Sequence, residues 1–209
     1  MSKSALLLIN LQVDFAPGGA LPVADADELM PVANRLMERF DLVVAVQESH
    51  PIHHISFASS HPEKKPGDVM EINGVRQTLW PVHCVGGSPG AELLPGLRTD
   101  LLDKIVRCGT ETNLNSYSAF FEGGHKKPTE LGEYLTERDV TDVYVLGLCT
   151  EHTVRNTVSD GLKMGFRMYL ITDGCRGVEW KPGDQDHAFE EMKEAGATLV
   201  QSSEMLPKK

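Results

Sequence analysis

The sequence predicts an α/β protein: a parallel β-sheet with helices covering both of its faces. Short apolar runs occur with no polar residue alternating through them, as in Ala5-Leu6-Leu7-Leu8-Ile9 and in Leu42-Val43-Val44-Ala45-Val46. A strand is apolar at successive positions when both faces of its sheet are buried. Between the runs lie segments with apolar residues at helical spacing, and strands alternating with helices build a parallel sheet. Polar clusters follow directly after the runs, at Asn10 to Phe15, Glu48 to His54, Cys108 to Phe120 and Cys149 to Thr153. In such folds ligands bind beyond the carboxyl ends of the strands.

Taken in order, residues 5–9 form the first strand. Leu29, Met30, Val32, Ala33, Leu36, Met37 and Phe40 give a helix over 27–40, because residues three and four apart share a helix face. Residues 41–46 are the second strand and 104–107 the third. A helix over 130–138 leads into a strand at 142–147. A helix follows over 151–164, with Gly165 as its left-handed stop. A strand at 166–172, a helix at 187–195 and a short strand at 198–201 complete the alternation. Residues 59–104 show little periodicity and many Gly and Pro, and so long a segment in a compact domain is expected to be a binding loop or lid.

A chain of 209 residues suits one domain, 1–209, with a full core. The formal net charge of −10, with basic residues paired only at Lys64-Lys65, Lys126-Lys127 and Lys208-Lys209, argues against nucleic-acid or anionic-membrane partners. No apolar stretch approaches the roughly 18 residues of a membrane helix, and the opening apolar run leads to Asp14 instead of a signal-cleavage site. Cys84, Cys108, Cys149 and Cys175 lie far apart with no CxxC pair, which suits reduced thiols and a cytoplasmic setting. A homo-oligomer is compatible with all of this.

Glu48-Ser49-His50-Pro51-Ile52-His53-His54 follows the second strand. A carboxylate and imidazoles two and six residues further on converge on one ion if the chain turns at Pro51. His83, in the long segment, offers a further ligand. Carboxylate with imidazole suits zinc first, with iron or manganese as alternatives. The plain alternative is a polar surface loop.

Several segments resemble the nicotinamidases of the isochorismatase-like hydrolase family. They are Leu8-Ile-Asn-Leu-Gln-Val-Asp-Phe15 with Ala16-Pro-Gly-Gly-Ala-Leu21; Gln47-Glu-Ser-His50-Pro-Ile-His-His54; Trp80-Pro-Val-His-Cys-Val85; Cys108-Gly-Thr110 with Ser116-Tyr-Ser-Ala-Phe120; Gly147-Leu-Cys-Thr-Glu-His-Thr-Val154; and Cys175-Arg-Gly-Val178. The resemblance covers nearly the whole chain. It implies a three-layer, Rossmann-like α/β/α sandwich with a six-stranded parallel sheet. It also implies a divalent metal held by Glu48, His50 and His83, with His54 a fourth ligand in some members. Glu48 stands where the family has Asp. Phe15, Trp80 and Tyr117 match the aromatic walls around a flat pyridine-type ligand, and the backbone amides of Cys149 and Thr153 match an oxyanion hole. The reaction implied is nicotinamide and water to nicotinate and ammonia, a step of NAD salvage.

The family's hydrolysis uses an aspartate, a lysine and a nucleophilic cysteine. The matching positions here are Asn10, Cys108 and Thr153. An amide accepts no proton near neutral pH, and a threonine hydroxyl without a base is a weak nucleophile. Arg107 does not replace the lysine, because adjacent strand residues point to opposite faces. Cys108 is expected to point into the pocket, and His152 to face away along its helix. The expectation is a nicotinamidase-like protein that keeps its metal site with hydrolysis impaired or lost. Two alternatives stand beside it. One is an active amidohydrolase on nicotinamide or another small amide, using Cys108 or metal-bound water; the other is a regulatory or structural protein with a vestigial pocket.

Overall fold

The computed structural model describes residues 3–205. Along the chain run β1 (Lys3–Ile9), α1 (Leu29–Met37), β2 (Val43–Glu48), a hairpin of β3 (Val69–Ile72) and β4 (Val75–Thr78), β5 (Lys104–Cys108), the short pair β6 (Phe121–Glu122) and β7 (Lys127–Pro128), α2 (Leu131–Thr136), β8 (Val140–Leu148), α3 (Arg155–Lys163), β9 (Arg167–Arg176), α4 (Asp184–Glu194), β10 (Thr198–Val200) and α5 (Ser202–Met205). Six strands form one sheet in the order β10-β9-β8-β1-β2-β5, and every pairing within it is parallel.

Strand β1 shows why its run is apolar throughout. Ala5, Leu7 and Ile9 pack into a core with Val44, Val46, Val143 and Val145 beneath Leu131 and Leu135 of α2, Val158 of α3, and Ala188 and Met192 of α4. Leu6 and Leu8 enter the opposite core with Leu29, Ala33, Leu36 and Met37 of α1. The helices therefore form two outer layers on the sheet, as an α/β/α sandwich.

Strand order runs outward from β1 in both directions, with β2 on one side and β8 on the other. The carboxyl ends of β1 and β8 thus flank a topological switch point, where open α/β sheets bind ligands. Gly147, at φ +128°, makes the approach there: a β-carbon on it would collide with the Ile9 carbonyl.

The element boundaries differ from the sequence expectation where tertiary contacts extend or reshape them. Strand β2 continues to Glu48, two residues past the apolar run, because β5 pairs alongside it as far as Glu48 and Cys108. The helix expected from residue 151 opens with a π-helical turn, Thr150–Val154, before α3 begins. The segment 59–104 holds the β3–β4 hairpin and several single 3-10 turns, fixed by pairings with the rest of the fold such as Phe57 to Trp80 and His50 to Val85. Among the described residues no helix is long and apolar enough to cross a membrane.

Candidate metal centre and pocket

Glu48 ends β2 and is held from two directions by the segment after β1. The Gln12 side chain accepts from the Glu48 backbone N–H at 2.8 Å and donates to its carbonyl at 2.8 Å. Asn10 donates from Nδ2 to Glu48 Oε1 at 2.6 Å. Beyond Glu48 the chain continues beside the long segment: the His50 N–H donates to the Cys84 carbonyl at 2.8 Å and the Gly86 N–H to the His50 carbonyl at 2.9 Å. This short parallel pairing brings His83, 35 residues from Glu48, to the same carboxylate.

Among the described residues Glu48, His50 and His83 form a cluster with one ligand atom each, all within 4.8 Å of one another. All three are buried. His50 Nε2 lies 2.9 Å and His83 Nε2 3.1 Å from Glu48 Oε2. Their other ring nitrogens are committed, His50 Nδ1 to the Gly109 carbonyl at 2.9 Å and His83 Nδ1 to the Pro81 carbonyl at 2.8 Å. A carbonyl only accepts, so each Nδ1 carries the proton, and in a neutral ring Nε2 is then a bare lone pair. Two bare lone pairs facing one carboxylate oxygen repel unless a proton or a cation lies between them. The donor set therefore fits a divalent ion, and the carbonyls supply the outer bonds that orient metal-binding histidines. Gly109, at φ +67°, is required here, since a β-carbon would strike the His50 ring.

Without an ion, burial would raise the Glu48 pKa, but the imidazoles of His50 and His83 outweigh it and hold the carboxyl well below its ordinary range. Burial opposes charging of His83, yet its hydrogen bond to Glu48 moves its pKa upward.

His54 does not join the centre, which corrects the four-ligand expectation. Its Nδ1 meets the Ser56 hydroxyl at 2.7 Å and its Nε2 the Leu114 carbonyl at 3.0 Å, so neither nitrogen is free. Burial, then the neighbouring His50, lowers its pKa to about 4. Its ring lies 4.4 Å from that of His50 and serves as packing.

Phe15, Trp80 and Tyr117 meet, as expected, around a cavity also lined by Glu48, His50, His83, Cys149, His152 and Thr153. The Trp80 indole N–H donates to the Tyr117 hydroxyl at 3.2 Å. The cavity is narrow, about 30 Å³; Tyr117 and Asn115 separate it from a wider cleft of about 330 Å³.

Of the three positions matched to hydrolysis, Asn10 and Thr153 meet and Cys108 stands apart. Asn10 is fully buried and reaches Thr153 Oγ1 at 3.4 Å as well as Glu48. Thr153 and Cys149 line the cavity, the turn between them closed by bonds from the His152 and Val154 N–H groups to the Cys149 carbonyl at 3.1 and 3.2 Å. Cys108 does not line the cavity. It is packed in the core with Val106, Ala119 and Phe120, opposite Glu48 in the β2–β5 register. Burial and the nearby Glu122 push its thiol far above the ordinary range, and burial does the same for Cys149.

His152 corrects a second expectation, because it faces the cavity. Its ring stands edge-on to Trp80 at 5.0 Å and is stacked with Tyr117 at 6.1 Å, and its buried Nε2 has no partner. The π-helical turn is the cause: the rotation per residue is smaller than in an α-helix, so positions 152 and 153 stay on one side. Sequence reasoning also missed Phe57, whose ring touches three histidines; Trp180, half-exposed and 6.0 Å from Trp80; and Glu122, which accepts from the Gly109 N–H at 2.9 Å. Histidine-rich spacing carried no signal for any of these.

A six-stranded parallel sandwich with a buried carboxylate–imidazole cluster beyond its strand ends defines an α/β protein with a candidate metal site. The isochorismatase domain model matches residues 4–204. The nicotinamidase of Escherichia coli strain K12 is 43% identical over 203 residues, covering 95% of each chain. The solved Acinetobacter baumanii nicotinamidase pyrazinamidase is 40% identical with a TM-score of 0.95, covering 99% of each chain. A pyrazinamidase of Pyrococcus horikoshii solved in complex with zinc is 37% identical with a TM-score of 0.78, covering 95% of this chain and 99% of that one. The chain belongs to the isochorismatase family, in its nicotinamidase group. These comparisons do not bear out the further expectation that the hydrolytic triad is substituted or that turnover is lost; that reading rests on the side chains at three positions.

Proposed function

We propose that the chain is a nicotinamidase-group protein that binds a divalent metal, zinc in the first place, and a small flat pyridine-type ligand, with amide hydrolysis impaired or absent. One observation carries it: the Glu48–His50–His83 cluster is complete with its outer hydrogen bonds, while Thr153 Oγ1 meets the neutral Asn10 amide in place of a carboxylate, and among the described residues no hydrogen bond joins it to the His152 ring that shares the cavity. Asn10 is neutral, Cys108 is buried away from the cavity and Cys149 is held as a thiol. When bound, a divalent ion supplies a Lewis-acid position for a ring nitrogen. Phe15, Trp80 and Tyr117 bracket the ring, and Glu48, held by Asn10 and Gln12, keeps the cluster in place.

The test is ammonia release from nicotinamide by zinc-loaded protein, with calorimetric binding measured in parallel. We expect binding without release above the metal-only blank. Restoring the three positions, Asn10→Asp with Cys108→Lys and Thr153→Cys, together with Glu48→Asp, is expected to produce release. Steady turnover by the unaltered chain would overturn the proposal and favour an active amidohydrolase.

A further inference from the structure

The position matched to the catalytic acid has a different task in this chain. Asn10 lies at the end of β1 with φ +52°, a left-handed conformation that asparagine tolerates. Asn10 is 1% exposed and Glu48 8% exposed, so the 2.6 Å contact between Asn10 Nδ2 and Glu48 Oε1 is shielded from water. The amide orientation follows from chemistry: the flipped form would set two acceptor oxygens against each other. Glu48 Oε2 faces His50 and His83, whereas Oε1 faces Asn10.

We propose that Asn10 is a positioning residue of the metal centre: it occupies Glu48 Oε1 as a hydrogen-bond donor and leaves Oε2 alone to the ion. This rests on the metal reading above. Glu48 is one methylene longer than aspartate, with one more torsion to fix. Asn10 fixes it by the same means the Gly109 and Pro81 carbonyls use for the two histidines. Each of the three side chains then has one outer hydrogen-bond partner. An ionised aspartate at position 10 could not donate, and would place a second buried carboxylate oxygen against Glu48 Oε1. Asn10 and Glu48 are thus a matched pair, and Asn10 is part of the metal site, not a relic of hydrolysis. The other Asn10 contact, to Thr153 Oγ1 at 3.4 Å, is longer and secondary.

The test uses the full chain with Zn(II) and Co(II) as probes. Zinc affinity is measured by competition with a chromophoric chelator, and coordination by the visible bands of the Co(II)-loaded protein. Asn10→Ala is expected to weaken zinc binding at least about tenfold, in the range for outer hydrogen-bond partners of metal ligands, and to shift the Co(II) bands as Glu48 turns. Asn10→Asp keeps the shape without the donor, and is expected to shift the Co(II) bands too. Circular dichroism establishes which variants are folded. Unaltered Co(II) bands in either folded variant, or unaltered zinc affinity in Asn10→Ala, would overturn the inference while leaving the metal reading intact. An unaltered chain that binds neither ion would overturn both.

Discussion

Replacing Phe57 by alanine tests whether packing, and not hydrogen bonding alone, aims the metal ligands. Phe57 has no exposed surface, and its ring stands edge-on to His50 at 5.4 Å, to His54 at 5.7 Å and to His83 at 5.4 Å. Truncating a buried phenylalanine to alanine costs about 3–5 kcal/mol, through lost transfer energy and the cavity left behind. At about 2–4 °C per kcal/mol for a chain of this size, the metal-free protein should melt roughly 6–20 °C lower. His50 and His83 would each lose a wall, so zinc affinity should fall by about tenfold as well. Phe57→Leu keeps most of the volume but not the ring edges, each worth about 0.5–1.5 kcal/mol beyond burial, and should lie between the two. The assays are thermal unfolding by circular dichroism and chelator competition for Zn(II). A melting point within about 3 °C of the unaltered protein would refute the packing estimate. A large drop in melting point with unchanged zinc affinity would refute the positioning role.

His54→Gln should retain one zinc per chain by elemental analysis after dialysis, whereas His83→Ala should lose it; loss in the His54 variant would restore a four-ligand centre. The thiols of Cys84, Cys108, Cys149 and Cys175 are all buried, and burial pushes Cys175 up to about 12. A thiol reagent at pH 8 should therefore leave the native chain unlabelled and modify it fully after denaturation. Rapid native labelling at Cys108 or Cys149 would revive a displaced thiol nucleophile. Trp80→Phe removes the indole donor to Tyr117 and should weaken nicotinamide binding in calorimetry while sparing zinc affinity; a parallel loss of both would mean that Trp80 supports the metal centre.

Much of this protein was legible in its residues. Unbroken apolar runs such as 5–9 required a sheet buried on both faces, and the motifs around Glu48, His50 and His83 pointed to three side chains that the fold brings within 4.8 Å of one another. Phe15, Trp80 and Tyr117 also reached the cavity as their motifs suggested. These features are set locally, by what directly follows a strand, or by segments whose residues travel together. What only the tertiary structure decided were directions and commitments of side chains. Cys108, expected to point into the pocket, lies in the core instead, packed with Val106, Ala119 and Phe120. His152 turned inward because a π-helical turn replaced the expected α-helix. His54 was lost as a ligand because Ser56 and Leu114 had already taken its nitrogens. Asn10 gained its role because two strands 38 residues apart bring it against Glu48. Residue identity fixes which atoms can donate or accept. Which partner each one meets depends on segments remote in the chain, and that is settled only when they pack.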